Sequence, residues 1–160
     1  MPPRVVTNTY LYFRGLTSDS QLKSQTLRML QKFQEYIESK PQEQLERRSP
    51  NEKWTGMEVA FHAINSAKGI LRKCEGLRAK LNVPDSDRSH SGRTKTVSHD
   101  DLLDLVKRVY DMTENFDYKK VKTASSAHPF LGKKDFQQWL VLNLVHLERH
   151  YRQLNRVLSN

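Results

Sequence analysis

Hydrophobic positions in this chain recur at helical rather than alternating spacing over four long stretches. In the first, Leu22, Thr26, Met29-Leu30, Phe33 and Tyr36-Ile37 mark one face of a helix from Gln21 to about Ser39. A Ser18-Asp19-Ser20 cap precedes it and Pro41 stops it. The second stripe, Met57, Ala60-Phe61, Ile64, Ala67, Leu71 and Cys74, predicts a helix from about Gly56 to Leu81. The third helix begins near Ser98, with Asp101 three residues on in a capping-box-like arrangement, and carries Leu102, Leu105-Val106, Val109 and Met112. The fourth runs from about Asp135 to Leu158 on Phe136, Leu140, Leu144, Leu147, Tyr151, Leu154 and Leu158. The body shows neither a strand pattern nor an internal repeat. Four amphipathic helices with little else describe an all-α protein, a four-helix bundle.

The segments between the helices differ in character. Arg47-Arg48-Ser49-Pro50-Asn51 reads as a turn. Residues 82–99 form a long polar connection between the second and third helices, holding only two Val, and a connection of that length is usually functional or mobile. A second irregular stretch, about 117–133, contains Ser125-Ser126 and His128-Pro129-Phe130-Leu131-Gly132. Residues 1–17 fit no helix. Val5 to Phe13 is rich in β-branched and aromatic residues, Arg14 interrupts it, and no small-residue cleavage site follows. That stretch reads as an extended N-terminal arm or appended sequence rather than a secretory signal, leaving 18–160 as the bundle.

Composition narrows this picture. A chain of 160 residues suits one domain with one core, and six Gly with six Pro leave few breaks in its helices. A single Cys excludes an internal disulfide framework and a Cys-based zinc site, and suits a reducing cytoplasm. No apolar run approaches the ~20 residues of a membrane span. With 27 Lys+Arg against 18 Asp+Glu, the net charge is +9, which raises the question of a nucleic-acid partner. The excess is +3 in residues 1–40, +3 in 41–82, zero in 83–100 and +3 in 101–160. Charge spread so evenly, without a recognisable motif or aromatic platform, argues against a dedicated nucleic-acid binder. A non-catalytic bundle binding nucleic acid or another acidic partner is the alternative to an enzyme. Otherwise the charge is a basic coat that favours an anionic substrate or cofactor.

Of the six His residues, His90 and His99 fall in the polar connection and read as solvated. His146 and His150 are spaced i, i+4 on the last helix, which puts two imidazoles on one face, one turn apart, as shared metal coordination requires. His146-Leu147-Glu148-Arg149-His150 is not the zincin motif, because the Glu does not directly follow the first His. Both His share a flank with Trp139, Asn143, Gln153 and Val157, beside the main stripe. His62 likewise lies off its stripe, with Thr55, Val59, Ser66 and Gly69, mostly small neighbours that leave room beside an imidazole. From the residues alone, two readings stand: three half-buried histidines bonded locally, or a metal site.

Asn51-Glu52-Lys53-Trp54-Thr55-Gly56-Met57-Glu58-Val59-Ala60-Phe61-His62 resembles the segment that opens the second helix of the DinB/YfiT-like family. His128-Pro129-Phe130-Leu131-Gly132 followed by Trp139 is similar to that family's approach to its last helix. His146-Leu147-Glu148-Arg149-His150-Tyr151-Arg152-Gln153-Leu154 resembles its fairly specific H-x-x-R-H-x-x-Q signature. The likeness covers about residues 18–158. It implies a four-helix bundle, often a homodimer, with a divalent metal held by one His of the second helix and two of the fourth. His62, His146 and His150 would then be the ligands.

Three imidazoles with an open position imply catalysis rather than a closed structural site, and an all-nitrogen set suits Zn, Ni or Fe. Relatives of this kind include S-transferases using low-molecular-weight thiols, so the resemblance implies a cytoplasmic thiol S-transferase or hydrolase acting on a small molecule. Around the site, Asn143 and Gln153 read either as groups orienting a ligand or as plain polar contacts. His128 reads equally as a loop residue facing the metal or as local turn structure. Trp54 and Trp139 read as core, Arg149 and Arg152 as solvated, and Cys74 as a small core residue. Glu58 and Glu148 point away from the ligands and Glu52 precedes the second helix, so no general base is evident.

Overall fold

The computed structural model describes residues 17–86 and 97–159. The expected N-terminal arm, up to residue 16, lies outside them, as do His90 and the middle of the long polar connection. Four long helices are present: α1 (Asp19–Glu38), α3 (Gly56–Arg78), α4 (His99–Asn115) and α5 (Phe136–Leu158). A short α2 (Gln42–Glu46) follows α1, and a hairpin of β1 (Ser126–His128) and β2 (Gly132–Lys134) precedes α5.

Each long helix begins at a side-chain cap, which is why these starts are legible in the sequence. The Ser18, Thr55, Ser98 and Asp135 side chains accept from the backbone N–H of Gln21, Glu58, Asp101 and Gln138 respectively. At Ser18, Thr55 and Asp135 the residue three on reaches back to the cap's own N–H, completing a capping box. Each such cap contributes about 1 kcal/mol.

Three details depart from the sequence expectation. The helix expected to reach Leu81 ends at Arg78. Lys80 there takes the left-handed conformation (φ 57°), while Leu81 N–H donates to Gly76 O at 2.9 Å and Lys80 N–H to Leu77 O at 3.1 Å. This pattern of closing bonds usually uses Gly at the left-handed position, so a Lys there gives no sequence signal. The second is α2, a single turn whose one buried residue, Leu45, is too little for periodicity to register. The third is the hairpin, in which His128 pairs with Gly132 (φ 77°) around the Pro129-Phe130-Leu131 turn. Its strands are held from a distance: Ser86 N–H donates to Ala127 O at 2.9 Å, and Ala127 N–H to Asp85 Oδ1 at 2.6 Å.

Around the bundle the helices follow the order α1, α5, α3, α4, and α3 with α5 form the most extensive pairing. These two run antiparallel. Gly56 at the start of α3 abuts Leu158 at the end of α5, and Cys74 Sγ lies 3.9 Å from Phe136 O at the other end. That register places the stretch around His62 opposite the stretch around His150. Every residue from Phe136 to Leu144 except Gln138 is buried, so the first half of α5 is enclosed on nearly every side. Cys74 belongs to the same core, and burial pushes its thiol far above the usual range, in line with a packing role.

Two glycines of α3 give opposite predictions. A Cβ on Gly56 would come within 2.8 Å of Leu158 Cδ2, whereas one on Gly69 would meet nothing within 4 Å. Gly69→Ala should therefore raise stability by about 0.5–1 kcal/mol, the helix-propensity difference. Gly56→Ala should lower it by roughly 1 kcal/mol through overpacking at the α3–α5 contact. Urea midpoints of the two variants against the parent chain check both signs.

Candidate metal centre

The α3–α5 register brings the three predicted histidines together. His62 comes from the second turn of α3, and His146 and His150 from α5. Their ring centroids are 5.2 Å apart for His62–His146, 4.8 Å for His62–His150 and 4.3 Å for His146–His150. Each offers one nitrogen within 4.8 Å of the other two. Three atoms so placed share a centre no more than about 2.8 Å from each, against metal–nitrogen bonds of ~2.0–2.1 Å, so a small contraction would close the set.

The electrostatics prepare these rings as ligands, because only a neutral imidazole has a lone pair to give. Burial, reinforced by His150 and His62, holds His146 well below the usual histidine range. Burial, then His62, pushes His150 down to about 4. Second, the hydrogen bonds select a tautomer. His150 Nδ1–H donates to Gln153 Oε1 at 2.8 Å, which leaves the Nε2 lone pair available. His146 Nδ1 is buried and has no partner among the described residues, a cost that a bound cation or an ordered donor would relieve. The donor set therefore fits a divalent metal.

Trp54 closes one side. Its ring lies 4.8 Å from His62 and stacks at 20° over His150 at 6.3 Å. The sequence reading assigned Trp54 to the core; the structure places it against two of the three rings. Trp139 is buried as expected, but its indole carries two polar visitors, Lys73 Nζ at 5.0 Å and the His128 ring at 5.6 Å. His128 stands outside the three-His group. Its Nδ1 accepts from Phe130 N–H at 3.1 Å and Leu131 N–H at 3.2 Å, so the ring shapes its own turn.

Asn143 is fully buried one turn before His146, and neither its Oδ1 nor its Nδ2 finds a partner among the described residues. Arg152 is exposed as expected, as is Arg149. His99, read as solvated, is instead half-buried at the start of α4 with Nε2 3.0 Å from Ile37 O. Both carboxylates nearest to His62 in sequence are committed elsewhere: Glu58 caps α3, and Glu52 pairs with Arg156 at 2.7 Å. Nothing local in the sequence marks Lys73, which meets Trp139 across the α3–α5 seam.

A family model for the DinB superfamily matches residues 25–154, which include all of α3 and all three histidines. The chain belongs to the DinB superfamily. No curated protein sequence matches it. Among the described residues, no helix is long and apolar enough to cross a membrane.

Proposed function

We propose that this chain is a divalent-metal-dependent enzyme whose ligands are His62, His146 and His150, and that it acts as a thiol S-transferase or a hydrolase on a small molecule. The observation that carries this reading is the convergence of three imidazole nitrogens within 4.8 Å from two separate helices, although His62 and His146 stand more than 80 residues apart in sequence. A divalent cation supplies Lewis acidity there, favouring ionisation of a thiol or of water near neutral pH. Zn, Ni and Fe all suit three imidazoles.

The chain's own residues have definable tasks. Gln153 accepts the His150 Nδ1–H and so leaves the lone pair on the opposite nitrogen. Trp54 walls the rings on one side and holds their orientation by packing. With Glu52 and Glu58 engaged, the site favours chemistry in which the nucleophile ionises by itself, and thiol transfer needs the least further help. Gly69 and Ser66 leave the α3 flank beside His62 uncovered for a substrate to approach.

The test is metal content of purified protein after reconstitution with Zn, Ni, Mn or Fe, followed by a thiol and ester panel on the loaded samples. Failure to retain any of these metals would end the proposal. Retention without turnover would remove its catalytic half. Gln153→Leu, which keeps volume but removes the acceptor, should weaken Zn binding about tenfold in a competitive chelator titration.

A further inference from the structure

The seam between α3 and α5 continues well past the three histidines. His62, Ser66, Gly69 and Lys73 fall on one flank of α3, and Trp139, Asn143, His146 and His150 on one flank of α5. The two flanks meet at both ends. At one end His62 lies against His146 and His150. At the other, Lys73 Nζ sits over the Trp139 ring. Between these ends the α3 side is open: Ser66 is only partly buried, Gly69 is exposed, and a Cβ on Gly69 would touch nothing within 4 Å. Eleven residues of helix separate the ends, about 16 Å along the axis.

The Lys73 end has the makings of an anion site. Its ammonium is partly withdrawn from water and donates to two neutral oxygens, Pro84 O at 2.7 Å and Ser126 Oγ at 2.9 Å. Among the described residues no carboxylate comes within ion-pair distance of it; Asp85, which lies nearby, takes the Ala127 N–H. A half-buried cation satisfied only by neutral oxygens retains attraction for an anion. The second group on Trp139 is His128. Because its Nδ1 already accepts two backbone N–H bonds, its proton resides on Nε2, and that N–H meets no acceptor among the described residues. Lys73 and His128, one of them charged, thus both lie against the Trp139 indole.

Further along, the floor of the seam is polar and unsatisfied. Seven buried side-chain N or O atoms among the described residues lack a partner, and four of them are on this flank of α5: Trp139 Nε1, both amide atoms of Asn143, and His146 Nδ1. Unpartnered buried groups are costly, and so many on one helix flank point to a ligand-binding surface.

We propose that the α3–α5 seam is a binding groove for a small amphipathic acid, its carboxylate against Lys73 Nζ and His128 Nε2–H and its body running over Gly69 and Ser66 toward the three histidines. This deepens the proposed function by naming a substrate class, and rests on it only for which end of the ligand reacts. The acid end is held by residues that do not touch the three-His group.

Hexanoate and hexanol, titrated into the metal-free full-length protein, test the groove. The reporter is the indole N–H resonance of Trp139 in 1H–15N spectra, assigned with Trp54→Phe. Hexanoate should shift it saturably, and hexanol should bind about tenfold more weakly or worse. Lys73→Gln should remove that preference. Gly69→Leu, which adds bulk to the open flank without disturbing the core, should weaken hexanoate about tenfold while leaving the unfolding midpoint unchanged or higher. Equal affinity for acid and alcohol, or hexanoate binding indifferent to Gly69→Leu, would overturn the groove, even if Lys73→Gln proves unstable. Metal uptake by the same samples decides the other question separately: acid binding without metal uptake supports the groove and counts against the metal centre, and the reverse overturns the groove alone.

Discussion

Replacing His150 by Ala should lower Zn affinity roughly a thousandfold, on the order of a third of the free energy of a structural zinc site. Each of three neutral donors carries a comparable share, and no carboxylate belongs to the cluster that could take the vacated place. His62→Ala and His146→Ala should behave alike. His99→Ala is the internal control, because His99 bonds the Ile37 carbonyl at the start of α4 and should leave metal affinity unchanged. Stability of the metal-free chain should fall by no more than about 1–2 kcal/mol, since the lost packing of one imidazole is partly offset by removing a desolvated polar group. Competitive chelator titration and urea unfolding of the same preparations separate the two quantities. A His150→Ala protein that binds Zn as tightly as the parent would show that the ion sits elsewhere.

The metal-free protein should lose stability on mild acidification. Burial is the leading cause holding His128 and His150 at about 4 and His146 well below the usual range. In the unfolded chain each titrates near 6.5, so between these values the unfolded state binds more protons than the folded one. Stability is thus fully present above about pH 6.5 and falls as pH drops toward 4. Allowing for the partial exposure of both rings, His128 and His150 together should cost on the order of 2–4 kcal/mol by pH 4, and His146 acts in the same direction. Protonating His128 carries an additional structural penalty, because its Nδ1 must then give up the Phe130 and Leu131 N–H bonds. Urea midpoints at pH 7, 5.5 and 4.5 measure the slope. A curve flat from pH 7 to 5 would mean that these rings are solvated in solution.

The helices were legible because two signals coincide at each: a 3.6-residue apolar stripe and a short polar cap at its start. Thr26 illustrates the strength of the stripe, since it is a buried polar residue placed in the core by spacing alone, its hydroxyl satisfied by Leu22 O at 2.8 Å. What escaped were features whose cause is not local. The end of α3 depends on one Lys in a left-handed conformation, and the hairpin depends on Asp85 and Ser86, some 40 residues upstream. The site divides in the same way. His146 and His150 announce themselves by i, i+4 spacing, whereas His62 joins them only through the antiparallel register of α3 and α5. Trp54 against the rings and Lys73 over Trp139 follow from that register too, and no spacing rule within one helix contains it.

The enclosure of the first half of α5 bears on how ligand preference could evolve in this fold. A substitution between Phe136 and Leu144 meets packed neighbours on nearly every side, so selection for folding filters it before any effect on a ligand is felt. On the facing flank of α3 the constraint is weaker, because Gly69 can take a side chain with nothing to displace and Ser66 is only partly buried. Drift and adaptation should therefore be asymmetric, with α5 inherited as a fixed surface and new preferences written on α3, one added side chain at a time.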